Sequence, residues 1–252
     1  MHPKYAPLID SRYKLSAAMV SLKDDWSGMA SDLYRDRSVW VRILSTIKED
    51  QALNVWRQNT ELTRQLGRSF ILPSLPKRTS CGASLYQVAD LPQQRWSNLT
   101  YLAQRSSIGW DGAVFLVEQL AEQLTNVEAA GLQPQGNLAS QILIDGNGNI
   151  MICGHWEKAV RNDWAGPALL KILQQLIGSD NQDQPALTQL KAWQAVGRLG
   201  LATSISSALH VSDISPPARA RAEAQSDWRQ PTREETKRAR QEIKSWLEDS
   251  RL

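Results

Sequence analysis

The stretch QILIDGNGNIMIC, residues 141–153, decides how this chain of 252 residues is interpreted. Two short apolar runs flank the turn sequence Asp145-Gly146-Asn147-Gly148, and such a turn between apolar runs is a strong signal for a β-hairpin. We therefore predict a hairpin at these residues. It stands alone, because the chain on both sides of it has the composition of helices.

Helical patterns surround the hairpin from Pro92 onward. Residues 110–130 place several apolar side chains on one face of a predicted helix. We predict four more helices in this part of the chain, at residues 99–105, 164–176, 186–198 and 201–209. Residues 232–247 mix basic and acidic side chains and predict a charged C-terminal helix.

The first third of the chain predicts strands instead. VWVRIL, residues 39–44, has the strongest strand pattern, because β-branched residues alternate with larger ones. Residues 47–66 contain no Pro or Gly and predict one helix. The other predicted strands are residues 12–22, 29–34, 70–75 and 84–91. This region should therefore hold five strands and one helix.

Composition excludes several classes of protein. Lys and Arg total 29 against 26 Asp and Glu, and the excess forms no basic block of the kind that binds nucleic acid. The two cysteines, Cys81 and Cys153, are far apart and have no ligands at zinc spacing, which favours a reducing cytoplasm. The sequence shows neither an apolar membrane span nor a signal peptide. We expect a cytoplasmic protein, or the cytoplasmic part of a longer membrane-anchored protein.

This order of elements resembles that of a two-lobed protein kinase, and the likeness reaches individual segments. SRYKL, residues 11–15, resembles the first kinase strand, and residues 54–73 are similar to the αC helix and next strand of bacterial Ser/Thr kinases. Residues 127–153 resemble the catalytic loop and the hairpin that leads to the magnesium motif. The likeness covers roughly the first 180 residues, and the order of the segments is more specific than any one of them.

The resemblance implies an α+β, two-lobed protein-kinase-like fold. Its small N-lobe, residues 1–91, would contain an antiparallel five-stranded sheet and one helix of the αC type. A mainly helical C-lobe would follow at residues 92–230. Residues 231–252 would form a charged C-terminal helix or linker.

Kinases position ATP with a Gly-rich loop, a strand lysine and a helix glutamate. Here the loop between the first strands has one glycine, and its carboxylates Asp24 and Asp25 would repel a triphosphate. Arg42 stands at the lysine position and keeps the charge in a different shape. The glutamate falls at or beside Asn59, whose neutral amide cannot form the ion pair.

The groups that transfer phosphate are also replaced. The catalytic aspartate falls at Gly136 or Asn137, and the magnesium-binding asparagine falls at Gln141. Cys153 or Gly154 stands at the second magnesium position. An amide is not a base near neutral pH, and a thiol is a poor ligand for magnesium. We therefore predict no catalytic residue, no metal site, and no binding of ATP or magnesium.

The resemblance gives Asp163 a structural role, because it matches the aspartate of the αF helix that braces the catalytic loop. Trp96, Trp110 and Trp156 are candidate partner-binding residues, since aromatic side chains are enriched at interaction hot spots. Packing in the core is the alternative for each tryptophan. The charged C-terminal helix is a second candidate surface, with a solvated helix as its alternative.

The residues and the resemblance together favour a catalytically inactive pseudokinase. We expect it to bind other proteins as a regulatory or scaffold module in bacterial signalling or assembly, and not to be an enzyme. One alternative is an atypical nucleotide-binding or phosphotransfer enzyme that uses displaced residues such as Asp145, His155, Glu157 and Asp163. Another alternative is an unrelated α+β interaction protein.

Overall fold

The computed structural model divides the chain into two compact units. The first unit comprises Met1–Leu102 and Pro134–Glu157, and the second comprises Ala103–Gln133 and Lys158–Leu252. The predicted boundaries at residues 91 and 230 stay predictions. The described residues are 8–15, 20–22, 25–44, 49–66, 70, 74–80, 84–92, 96–153, 156–161, 163–178, 184–197, 199–203, 205, 209 and 233–249.

An antiparallel sheet forms most of the first unit. Its strands are β1 (Leu8–Ile9), β2 (Tyr13–Leu15), β3 (Val20–Leu22), β4 (Asp25–Asp32), β5 (Arg37–Leu44), β6 (Lys77–Arg78) and β7 (Leu85–Asp90). They are ordered β1-β2-β4-β5-β7-β6, and β3 pairs with β4. The described sheet thus has seven strands where the sequence predicted five, because short strands flank the predicted ones and the pattern at residues 12–22 is divided between β2 and β3.

Strand β5 organises this sheet because both of its faces are buried. Val39 and Val41 pack into one apolar cluster with residues of β1, β2, β4 and β7. Since side chains alternate along a strand, Trp40 packs into a different cluster on the other face. Helix α1 (Glu49–Leu66) contacts the sheet through Ala52, which packs against Leu44 of β5.

A second, three-stranded sheet completes the first unit. It is ordered β11-β10-β8, with β8 at Trp96–Asn98, β10 at Ile142–Asp145 and β11 at Ile150–Ile152. Strands β10 and β11 form the hairpin expected at residues 141–153, with Leu143 opposite Met151. The strand predicted at residues 70–75 is seen, among its described residues, only as an isolated bridge between Phe70 and Ile152.

The second unit is helical. Its long helix α3 (Trp110–Ala129) has three leucines, Leu116, Leu120 and Leu124, that are fully buried. Helix α4 (Ala165–Ile177) packs on α3. Helix α5 (Pro185–Ala195) also belongs to this unit. The 3-10 helix Leu138–Gln141 belongs to the first unit, and the residues of α2 (Leu99–Arg105), β9 (Leu132–Pro134) and β12 (Trp156–Lys158) are divided between the two units.

The charged C-terminal segment forms helix α6 (Arg233–Asp249), which also packs on α3. Its apolar side chains Ile243 and Trp246 are buried, and the Trp246 indole N–H donates to the Ser106 carbonyl oxygen at 3.0 Å. The Glu242 carboxylate accepts from the Gly112 N–H at 2.7 Å, at the positive end of the α3 dipole. The helix is therefore part of the second unit's core.

Within the described part of the chain, no helix combines the length and the apolarity that crossing a membrane requires.

Candidate functional site

Arg42 lies on the inner face of β5, two residues after Trp40. It is 6% exposed, and its backbone lies opposite Ser27 of β4 and Gln87 of β7. Both of these neighbours are buried as well. Arg42 is thus the middle member of a row of three buried polar side chains. Burying a guanidinium is unfavourable unless it is paired or hydrogen-bonded. The polar side chains of Ser27 and Gln87 beside Arg42 provide surroundings that suit its charge.

Next to this row, apolar side chains from both sheets of the first unit meet. We call this group the tryptophan cluster, because two of its members are Trp40 and Trp96. The full cluster is Met29, Trp40, Ala89, Leu91, Trp96, Leu143 and Cys153, with Met151 packed against it. Trp40 is 1% exposed, and the Trp96 indole N–H donates to the Pro92 carbonyl oxygen at 3.3 Å. The face of β5 that carries Arg42 is therefore covered by packed side chains.

The segment that resembles a catalytic loop is held together by amides. The Asn137 side-chain oxygen accepts from the Ala139 N–H at 3.2 Å and caps the 3-10 helix. The Gln141 side chain is 2% exposed and donates to the Gln135 carbonyl oxygen at 2.9 Å. Gly136 has a φ of 93°, a conformation that favours glycine. Residues 135–141 contain no carboxylate, so this loop offers no side chain that could act as a base.

Cys153 and Asp145 also have structural surroundings. Burial raises the pKa of the Cys153 thiol well above its ordinary value, so the sulfur stays protonated. The buried Asp145 carboxylate accepts hydrogen bonds from the Asn147 N–H, the Asn149 N–H and the Asn149 side-chain N–H, each at 2.8 Å. These bonds hold the hairpin turn, which accounts for an aspartate at this position. Gly154 and His155 lie outside the described residues.

The other predicted residues belong to several different elements. Asp163 belongs to the second unit, where its half-exposed carboxylate accepts from the Arg161 guanidinium at 2.6 Å. Asn59 lies in α1. Trp96 and Trp156 are buried, and Trp110 is half-buried at the start of α3. The Trp156 ring meets the Phe70 ring edge to face at 5.5 Å between centroids, so core packing describes the environment of this tryptophan. Across the described residues, no three His, Cys, Asp or Glu side chains lie together as a metal-binding group.

The structure shows a further feature that the sequence did not predict, a cavity of about 600 Å³ in the first unit. Its lining includes three cationic side chains, Arg12, Arg35 and Lys77, and two aromatic rings, Tyr13 and Phe70. These residues come from separate segments of the sequence. No local pattern could have grouped them, because only the pairing of the strands brings them together.

The antiparallel sheet with one helix, the loop followed by a hairpin, and the helical second unit define the class: this is a kinase-like fold. Among solved structures, the chain is similar to a PAN3 pseudokinase mutant from Neurospora crassa, with a TM-score of 0.51 and 14% sequence identity. The likeness covers 99% of this chain and 67% of the PAN3 chain. No family model and no curated protein sequence matches the chain.

Proposed function

We propose that this protein is a non-catalytic kinase-like module that works by binding other proteins, in signalling or assembly. The tryptophan cluster is the observation that carries the proposal. In a kinase, the strand lysine reaches the phosphates of ATP, so nucleotide must lie beside that face of the strand. Here Trp40 is on the same face as Arg42 and is buried among apolar side chains.

The cost of opening the cluster supports an inert site. Removing a large aromatic side chain from a packed core costs about 3–5 kcal/mol, and moving Trp40 out of the way forfeits a similar share of packing. Each 1.4 kcal/mol weakens binding about tenfold, so the penalty corresponds to roughly two to three and a half powers of ten in ATP affinity. A nucleotide that binds an open cleft at micromolar concentration would then need millimolar concentration here.

The missing charges argue against phosphate transfer. The side chains of Asn137 and Gln141 form hydrogen bonds to backbone groups of their own loop. Cys153 is buried as a neutral thiol. Neutralising the transferred phosphate is the main task of a kinase site, and none of these three groups supplies the anionic magnesium ligand or the base that a kinase uses at pH 7. The partner we propose is therefore a protein, bound without turnover.

A nucleotide-binding assay tests this proposal. The full chain is heated with about 5 mM ATP and either magnesium or manganese, with sodium sulfate at equal ionic strength as the control. A ligand that binds only the folded state must raise the melting temperature. We expect equal melting temperatures in all samples. In a parallel incubation with labelled ATP, we expect no transfer of labelled phosphate to the chain or to a generic protein substrate. A rise that depends on both the metal and the ATP concentration would contradict the closed site.

A further inference from the structure

We propose that the cavity of the first unit is a docking site for a partner's peptide segment in which an acidic residue adjoins a large apolar residue. The inference rests on the proposed function in one respect only, that the partner is a protein. A volume of about 600 Å³ is in the range of side-chain and ligand pockets and larger than one side chain needs. The cavity therefore suits two or three consecutive residues of a bound segment.

The inner walls of the cavity are apolar and firmly held. Val88 and Leu91 belong to the buried clusters on the two faces of the sheet. Phe70 is fixed by its bridge to Ile152 and by the edge-to-face contact with Trp156. Tyr13 packs edge to face on Tyr86, with 6.0 Å between ring centroids. Walls that are already ordered lose little entropy when a partner's apolar side chain enters.

The charge of the lining favours an acidic residue. The lining residues include three cations, Arg12, Arg35 and Lys77, and one carboxylate, Asp90. Asp90 is already held by Arg37, which does not line the cavity, at 2.5 Å, whereas Arg35 is 3.8 Å away. The Arg35 charge is therefore only loosely paired, and its side chain is 57% exposed. A carboxylate from a partner would form a charge-assisted hydrogen bond there.

The Arg12 side chain, which lines the cavity, is held in a fixed orientation. Its guanidinium donates to both carboxylate oxygens of the buried Asp32, at 2.9 and 2.7 Å, and lies over the rings of Tyr13 and Tyr34. Tyr34 is 72% exposed in the turn between β4 and β5, beside the exposed Leu33. Tyrosine and arginine are enriched at interaction hot spots. The turn between β4 and β5 thus adds exposed apolar and cationic side chains beside the cavity.

The test uses the full chain and a phage-displayed library of random dodecapeptides. We expect enrichment of sequences in which Asp or Glu lies within two positions of a large apolar residue. A synthetic peptide of the enriched sequence should bind the variant R35E/K77E about 10- to 100-fold more weakly than the wild type. Each of the two substitutions removes a charged hydrogen bond to the peptide and adds a repulsion between carboxylates. Binding should also weaken as salt is added.

The matched control is K14E/R64E, which makes the same change in net charge at exposed positions of the first unit outside the cavity. We expect it to bind within about twofold of the wild type. R35Q/K77Q, a neutral version, covers the case that the reversed charges disturb folding. Its affinity should fall between those of the wild type and R35E/K77E.

Two results would overturn the docking site: enriched peptides without acidic residues, or equal loss of binding in the cavity variants and the control. The proposed function fails by a separate result, stabilisation by ATP with metal. If ATP with metal gives no stabilisation and the library yields no acidic peptides, the docking site is refuted and the proposal of a non-catalytic site still stands.

Discussion

Replacing Trp40 with alanine should destabilise the protein by about 4 kcal/mol. A tryptophan buries 150–250 Å², and at about 25 cal/mol per Å² its removal forfeits roughly 4–6 kcal/mol. Measured losses for large aromatic residues in packed cores are about 3–5 kcal/mol, and Trp40 is only 1% exposed. Urea denaturation followed by far-ultraviolet circular dichroism measures this difference directly.

The variant W40F separates packing from polarity at this site, and a second variant serves as the control. The Trp40 indole N–H donates no hydrogen bond among the described residues, so W40F loses only packing and should cost less than W40A, about 1–2 kcal/mol. The control is Y34A, at an exposed aromatic of the same unit, which should change stability by about 0.5 kcal/mol or less. A cost below about 1 kcal/mol for W40A, or equal costs for W40A and W40F, would refute the packed cluster.

Three other predictions concern buried polar groups of the first unit. D145A should cost about 3 kcal/mol in urea denaturation and D145N about half as much, because three hydrogen bonds converge on this buried carboxylate. The Arg12 hydrogen bonds lower the pKa of Asp32, so the carboxylate's contribution to stability is fully present above its ordinary pKa of 3.8 and is lost as pH falls through the lowered pKa. D32N should therefore be less stable than the wild type at pH 7, and the difference should shrink as pH falls below 3.8. In a C81S background, Cys153 should react with a thiol reagent only when urea unfolds the chain, since burial raises the pKa of its thiol.

Local patterns predicted the elements whose residues carry their own signal. The alternation in residues 39–44 identified β5, and the turn at Asp145 identified the hairpin. Strand β8, Trp96–Asn98, was missed because its serine and asparagine have no strand propensity. It forms through pairing with β10, where Asn98 lies opposite Leu143. Partners of that kind are distant in sequence, and a local pattern does not contain them.

The candidate site divides in the same way. The resemblance aligned Asn137, Gln141 and Cys153 with catalytic and magnesium-binding positions of kinases, so their neutral side chains could be identified from the sequence. Their interpretation as inactive kinase positions stays a prediction. The role of Trp40 could not. Both faces of β5 are buried, so its apolar residues do not indicate which of them packs against Leu143 and which against Tyr86. The cavity was missed for a similar reason, since residues as distant as Arg12 and Met151 line it.

The missing charges and the packed cluster reinforce each other energetically. Under the proposed function, an open cleft beside Arg42 would expose apolar walls to water. The packing of Trp40 and Trp96 in one cluster removes apolar surface from water and stabilises the first unit. Under the proposed function, introducing an aspartate at Asn137 or Cys153 should therefore not create nucleotide binding, because the cluster would still have to open. Under this proposal W40A alone should lower stability but remove the opening penalty and raise ATP affinity, whereas N137D or C153D alone should not. Phosphate transfer would need both kinds of change.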